Sequence, residues 1–295
     1  MTEAQLLHHC YDQTGEGAIW LSRQANLLWV DIDNGILHQY IEANNSVKDH
    51  SFPEVITSIM PWKGHEEVVL AMKNRFISYD LKKGTYRTLV ELPFLHPQWR
   101  TNDCKASPAG RIWCGIMHTR HQDKNGGLFC VDNDLSVHQM LPDQSIPNGI
   151  VWNKQGDRMY YADSGRRCIE EYAYDRLTGA VYLLRTAIQV PDEYGVPDGM
   201  TISDDGMLWV AHWGGFGVYV WNPATGKLVR KIEVPVPNVA SCTFGGKEHT
   251  RLFITTARDG LSAEELETYP LSGSLFVADV PEVVPGENHY PFINR

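Results

Sequence analysis

The sequence predicts an all-β chain, a six-bladed β-propeller with four-stranded antiparallel blades around a central channel. Three observations predict it: short β-type runs recur at a near-constant spacing, turn residues punctuate them, and no long amphipathic helix pattern interrupts them. The runs are Leu28-Trp29-Val30, Val69-Leu70-Ala71, Ile112-Trp113-Cys114, Met159-Tyr160-Tyr161, Leu208-Trp209-Val210 and Leu252-Phe253-Ile254. Their starts lie 41 to 49 residues apart, the length of one blade.

Within each repeat the elements follow in order. Four runs come after a turn signal: Ser107-Pro108-Ala109-Gly110-Arg111, Asn153-Lys154-Gln155-Gly156-Asp157, Ser203-Asp204-Asp205-Gly206 and Gly245-Gly246-Lys247-Glu248. Gly, Asn and Asp there close hairpins. A further strand follows each run, at residues 36–40, 75–80, 127–132, 169–175, 217–221 and 274–279. Turns such as Asn222-Pro223-Ala224-Thr225-Gly226-Lys227 then lead into a fourth strand. Residues 261–269 read as one short helical turn. Length alone suggests two domains, but the repeat makes residues 1–295 one domain.

Composition narrows the function. Lys and Arg number 26 against 36 Asp and Glu, a net charge of −10. So acidic a surface, with no basic cluster, repels phosphate backbones and excludes nucleic acid as a partner. No apolar run approaches the roughly 20 residues of a membrane helix. Met1-Thr2-Glu3-Ala4-Gln5 lacks the basic start and apolar segment of a secretory signal, so a cytoplasmic protein is expected. The six cysteines (Cys10, Cys104, Cys114, Cys130, Cys168 and Cys242) form no CxxC and read as reduced, buried thiols.

The innermost strands of a propeller line one channel, so equivalent repeat positions converge in space. Ten to fourteen residues before the runs stand polar residues: Glu16 in Gly15-Glu16-Gly17, Asn102 in Arg100-Thr101-Asn102-Asp103, Asn148 in Pro147-Asn148-Gly149 and Asp198 in Pro197-Asp198-Gly199. Asn238 takes that place at the longest interval, and Thr57 and Ser58 occupy it in the second repeat. Each tripeptide alone reads as a turn. Their recurrence predicts side chains meeting in one funnel. Carboxylates facing each other there repel and hold a proton unless a cation sits between them. Glu16, Asn148 and Asp198 supply only oxygen, which suits Ca²⁺, Mg²⁺, Mn²⁺ or Fe²⁺ and lacks the soft donors that favour Zn²⁺. Three protein ligands leave positions open for water and substrate, as in a catalytic site.

The same residues carry a family resemblance. Gly15-Glu16-Gly17 with Ile19-Trp20, Arg100-Thr101-Asn102-Asp103, Ile146-Pro147-Asn148-Gly149 and Pro197-Asp198-Gly199-Met200 together resemble the regucalcin/gluconolactonase family. The match runs in order over nearly the whole chain. His212-Trp213-Gly214-Gly215-Phe216-Gly217, Pro235-Val236-Pro237-Asn238 and Thr255-Thr256-Ala257-Arg258 resemble its bacterial sugar-acid lactonases. The resemblance implies a six-bladed propeller and one divalent cation in the channel (Ca²⁺, Mg²⁺, Mn²⁺, Fe²⁺ or Zn²⁺). It also implies a carboxylic-ester hydrolase that opens a small sugar lactone, such as glucono-, xylono-, arabinono- or galactonolactone, to the aldonic acid. By motif, Glu16, Asn148 and Asp198 match metal ligands, and Arg100 and Asn102 match substrate contacts; the family further implies Asp198 as general base, with Asp103 a weaker competitor for that role. One departure is His118-Thr119-Arg120-His121, where animal members carry acidic residues, so animal substrate preferences do not transfer.

Other features read more plainly. Arg100 and Asn102 alternate on one face of an extended strand, whereas Asp103 faces the other way and braces the backbone. Trp213, after an inner strand, is expected to line the sugar pocket, while most Trp and Tyr pack between blades. His118 and His121 make a weak HxxH pair on a loop. Asp132-Asn133-Asp134 lacks the Gly and Glu of a calcium loop and reads as a turn. No GxSxG, HExxH or P-loop is present. The rival reading is a non-enzymatic, calcium-binding regulatory propeller. A paraoxonase-like arylesterase lacks its N-terminal apolar anchor and disulfide context here.

Overall fold

Each apolar run becomes the second strand of a sheet, covered on both faces by neighbouring blades. Burial on both faces is why these strands are continuously apolar rather than alternating. Leu28, Trp29 and Val30 have no exposure at all. The computed structural model describes residues 2–63, 66–94, 96–286 and 290–293.

Six antiparallel sheets follow in chain order. Blade one holds Gly15–Leu21, Asn26–Asp31, Ile36–Ile41 and Ser46–Ser51; blade two holds Ile56–Pro61, Val68–Met72, Arg75–Asp80 and Thr85–Glu91. Blade three holds Trp99–Ala106, Ile112–His118, Gly126–Val131 and Val137–Gln144; blade four holds Pro147–Trp152, Arg158–Asp163, Cys168–Tyr174 and Val181–Gln189. Blade five holds Val196–Ile202, Leu208–Trp213, Gly217–Asn222 and Lys227–Glu233, and blade six Val239–Gly245, Arg251–Thr256 and Leu275–Asp279. The structure is a six-bladed β-propeller.

Two features lie beyond the repeat. The fourth strand of blade six is the N-terminal segment Gln5–His8, which pairs Gln5 with Val277 and Leu6 with Phe276 and so closes the ring. Thr2–Glu3 adds a fifth, parallel strand to blade five, and Ala4 N donates to Glu233 O at 2.8 Å. Closing a ring with a strand from the other end of the chain ties the last blade to the first and covers the outer edge of Leu275–Asp279. Deleting residues 1–9 is therefore expected to cost about 3 kcal/mol, at about 1 kcal/mol per backbone hydrogen bond. For a chain of 295 residues that corresponds to a Tm lower by about 5 °C, read by thermal unfolding.

Aromatic side chains seal the seams. Trp20 of blade one stacks on Phe253 of blade six with centroids 5.4 Å apart. Trp113 of blade three meets Trp152 of blade four edge-on at 6.3 Å, and Trp209 of blade five meets Phe244 of blade six at 5.2 Å. Such pairs add about 0.5–1.5 kcal/mol each beyond area burial. All six cysteines are free and buried, and burial pushes the Cys130 and Cys242 thiols up to about 12. The short helix is Ala263–Thr268, started by a capping box between Ser262 and Glu265. Among the described residues no helix is long and apolar enough to cross a membrane.

Candidate active site

Every innermost strand breaks its ladder at or beside the residue singled out by the repeat. Register shifts fall between Glu16 and Ile19, Ile56 and Ser58, Thr101 and Cys104, Pro147 and Ile150, Pro197 and Met200, and Val239 and Ser241. In blades three, four and five the two skipped residues are Asn102-Asp103, Asn148-Gly149 and Asp198-Gly199. A bulge sets two residues opposite one and re-aims their side chains. The tripeptides that read singly as turns are thus strand residues at bulges.

The glycines have a steric reason. A Cβ on Gly149 would meet Asp198 O at 2.5 Å, and one on Gly199 would meet Ala240 O at 2.9 Å. Neighbouring inner strands approach so closely that only hydrogen fits between them.

Side chains then lock each strand to the next. Asn148 Nδ2 donates to Ser164 Oγ at 3.0 Å, and Ser164 Oγ donates to Pro197 O at 2.6 Å. The Asn148 amide is thereby oriented, leaving its Oδ1 buried with no hydrogen-bond partner. Asp198 Oδ1 is in the same condition. Glu16 Oε2 accepts from Gly17 N at 2.9 Å. Asn102 is held at both ends, its Nδ2 donating to Pro147 O at 2.8 Å and its Oδ1 accepting from Arg100 Nη1 at 2.6 Å. Thr57 and Ser58 serve as braces: Thr57 bonds Thr101 at 2.6 Å, and Ser58 Oγ donates to Asn102 O at 3.0 Å. Asn238 is drawn toward the rim, where its Nδ2 donates to Asp259 O at 2.9 Å.

The electrostatics follow from crowding. Burial pushes the Glu16 and Asp198 carboxyls well above their usual range; a hydrogen bond between them favours charge on Asp198, and Asp103 disfavours it on both. The expectation that Asp103 faces away is overturned. Strand alternation fails at the bulge: Asp103 does brace the backbone, accepting from Cys104 N–H, but it also lines the channel cavity with Lys105 and Met200, and its charge acts on both carboxyls. At the mouth, burial lowers Arg100 while Asp33, Glu16, Asp259 and Asp198 all favour its charge.

The donor set fits a hard divalent cation. Among the described residues no three His, Cys, Asp or Glu side chains group to hold one, so the amide oxygen of Asn148 is needed. Two buried oxygens without hydrogen-bond partners, plus the Glu16 carboxyl, are what such an ion would satisfy. Without it, the native pair keeps a proton that the unfolded chain releases near pH 4. The native state then binds more protons, so stability of chelated protein falls as pH rises from about 4 toward about 8. Thermal melts across that range are expected to show the slope, and a bound divalent cation to flatten it.

The remaining expectations sort as follows. Trp213 ends the second strand of blade five rather than following an innermost one; it is half-buried and pairs with Val196, close to Asp198 in the chain. His118 is buried, its Nδ1 accepting from Arg120 N at 3.1 Å. Asp132 opens a turn in which Asp134 Oδ1 accepts from Ser136 N. Sequence reasoning missed Ser164, Asp33, Asp259 and His212. Neutral His212, lowered to about 4 by burial, bonds Tyr194 O at 2.7 Å and supports the mouth. A 610 Å³ cavity lined by Trp20, Arg23, Trp62 and Phe244 lies at the opposite strand ends, away from the carboxyls.

A family model described as SMP-30/Gluconolactonase/LRE-like region matches residues 14–258. The pentonolactonase XacC of Haloferax volcanii is 34% identical over 273 residues, 90% of each chain. Regucalcin of Gallus gallus is 30% identical over 267 residues, 89% of each. The crystal structure of a calcium-binding protein, regucalcin, from Agrobacterium tumefaciens superposes with a TM-score of 0.92 over 99% of this chain and 97% of that one. At 23% identity that likeness is one of fold.

Proposed function

Because the chain belongs to the SMP-30/gluconolactonase/LRE-like family, we propose that it hydrolyses a sugar-acid lactone to the free aldonic acid, using a divalent cation held by Glu16, Asn148 and Asp198. The observation that carries this reading is the pair of buried, unpartnered oxygens, Asn148 Oδ1 and Asp198 Oδ1, in one channel. The pentonolactonase among the relatives supports the substrate class.

A sugar lactone is a cyclic ester, and its hydrolysis builds negative charge on the carbonyl oxygen. A bound divalent cation supplies Lewis acidity for that charge. Asp198 accepts the proton of the attacking water and passes it to the ring oxygen as the ester C–O bond breaks; a cation held by the same carboxylate weakens its basicity, so the oxygen turned away from the ion takes this role. Before an ion binds, a hydrogen bond from Glu16 favours the ionised form of Asp198. Ser164 holds the Asn148 amide with its oxygen free.

Arg100 and Asn102 take the ring hydroxyls. Arg100 spends Nη1 on Thr101 O and Asn102 Oδ1, which leaves Nε and Nη2 without a partner among the described residues. Arg100→Ala is therefore expected to raise KM for polyhydroxylated lactones roughly 10–100-fold, and for bare γ-butyrolactone under about threefold. Equal losses on both substrates would make Arg100 structural.

The rival, a calcium-binding propeller without turnover, uses the same oxygens. Assaying the purified protein against a panel of aldonolactones, with and without metal, separates the two. No turnover on any lactone in the presence of Ca²⁺, Mg²⁺, Mn²⁺, Fe²⁺ or Zn²⁺ would leave the rival standing.

A further inference from the structure

Deeper in the channel than the three proposed ligands, a lysine crosses from one side to the other. Lys105 belongs to the innermost strand of blade three, yet its Nζ donates to Met200 O of blade five at 2.9 Å. The other inner-strand links join adjacent blades: Asn102 to Pro147, Ser164 to Pro197 and Ala18 to Ser241. Lys105 instead passes blade four. With Asp103, Gly17, Met200 and Ser241 it lines a cavity of 20 Å³, about the room of one water molecule.

We infer that Lys105 is a positioning residue that sets the net charge of the channel to match a divalent cation. The inference rests on the metal-binding reading above. Ionised, Glu16, Asp103 and Asp198 bring three negative charges into one buried space, where each acts on another. Burial lowers the Lys105 ammonium, while Asp103, next but one on the same strand, favours its charge; that positive charge removes one. Two remain, and a divalent cation brings the sum to zero. A buried space tolerates little uncompensated charge, because both desolvation and mutual repulsion grow where water is excluded. Arg100 stands outside this count. Glu16 and Asp198 also favour its charge, but it lies at the mouth, where Asp33 and Asp259 face it from blades one and six and offset it.

Changing one charge at a time tests this. Full-length protein, stripped with chelator, is titrated calorimetrically with Ca²⁺ and with Tb³⁺, ions of similar size and different charge. Lys105→Gln leaves three negative charges and is expected to raise the Tb³⁺-to-Ca²⁺ affinity ratio at least tenfold over the unsubstituted protein. Asp103→Asn leaves one and is expected to lower that ratio at least tenfold. The double variant restores two and is expected to return the ratio to within about threefold, a cycle that a packing defect would not reproduce. Circular dichroism and melting establish that each variant is folded. Should Lys105→Gln not fold, Asp103→Asn and the double variant decide. A ratio that moves less than tenfold in either folded single variant overturns the inference while leaving the metal site intact. An unsubstituted protein that takes up neither ion overturns the metal reading itself.

Discussion

Asp198→Asn lowers kcat/KM on a sugar lactone by at least about 10³-fold, an expected loss of about 4 kcal/mol of transition-state stabilisation. The substitution replaces a charged proposed metal ligand with a neutral amide oxygen and removes the proposed proton acceptor. The fold is expected to survive, and the stripped variant to melt at or above the temperature of the stripped unsubstituted protein. Asp198 sits buried beside Glu16 and within the field of Asp103, so its charge destabilises the empty channel. Asparagine keeps the shape and relieves that repulsion. Steady-state kinetics and thermal unfolding of the same preparations measure both effects. Turnover near that of the unsubstituted protein would sink the mechanism.

Exhaustive chelation is expected to remove more than about 99% of activity, and more than one divalent ion to restore it. An amide and two carboxylates in a channel offer no soft donor, so selectivity among hard and borderline ions is modest. Ions that fill the site equally well still differ in polarising power, so Mn²⁺ and Fe²⁺ are expected to exceed Ca²⁺. Because Glu16 and Asp198 share a proton when no ion is present, uptake releases it, and affinity falls as pH drops. Titrating the stripped protein with each ion, following binding and lactone hydrolysis together, checks the ordering. Activity indifferent to chelation would refute the catalytic role, and restoration by Ca²⁺ alone would refute the ranking.

Much of this architecture is legible along the chain. Leu28-Trp29-Val30 and its five counterparts reveal the blades, because a strand covered on both faces must be apolar throughout. Glu16, Asn148 and Asp198 stand out for the converse reason, since polar residues recurring at one repeat position signal a shared environment. Asp103 shows where such reasoning stops. Alternation along a strand predicts that it faces away from Asn102, and that rule holds only while the ladder is regular. The bulge between Thr101 and Cys104 breaks the count. Asn238 fits the spacing but is turned toward Asp259 by a hydrogen bond that spacing does not reveal.

By itself the sequence determined the propeller, its six repeats and the recurrence of a polar residue at one place in them, because period, turn chemistry and burial pattern act between near neighbours. Only the tertiary structure decided that Gln5–His8 closes the ring, that Ser164 frees the oxygen of Asn148, and that Lys105 crosses beneath the carboxyls to Met200. Each of these depends on where distant strands come to lie once six bulged ladders have closed on one another. That convergence arises from packing and twist summed over the whole ring, and no local stretch of residues encodes it.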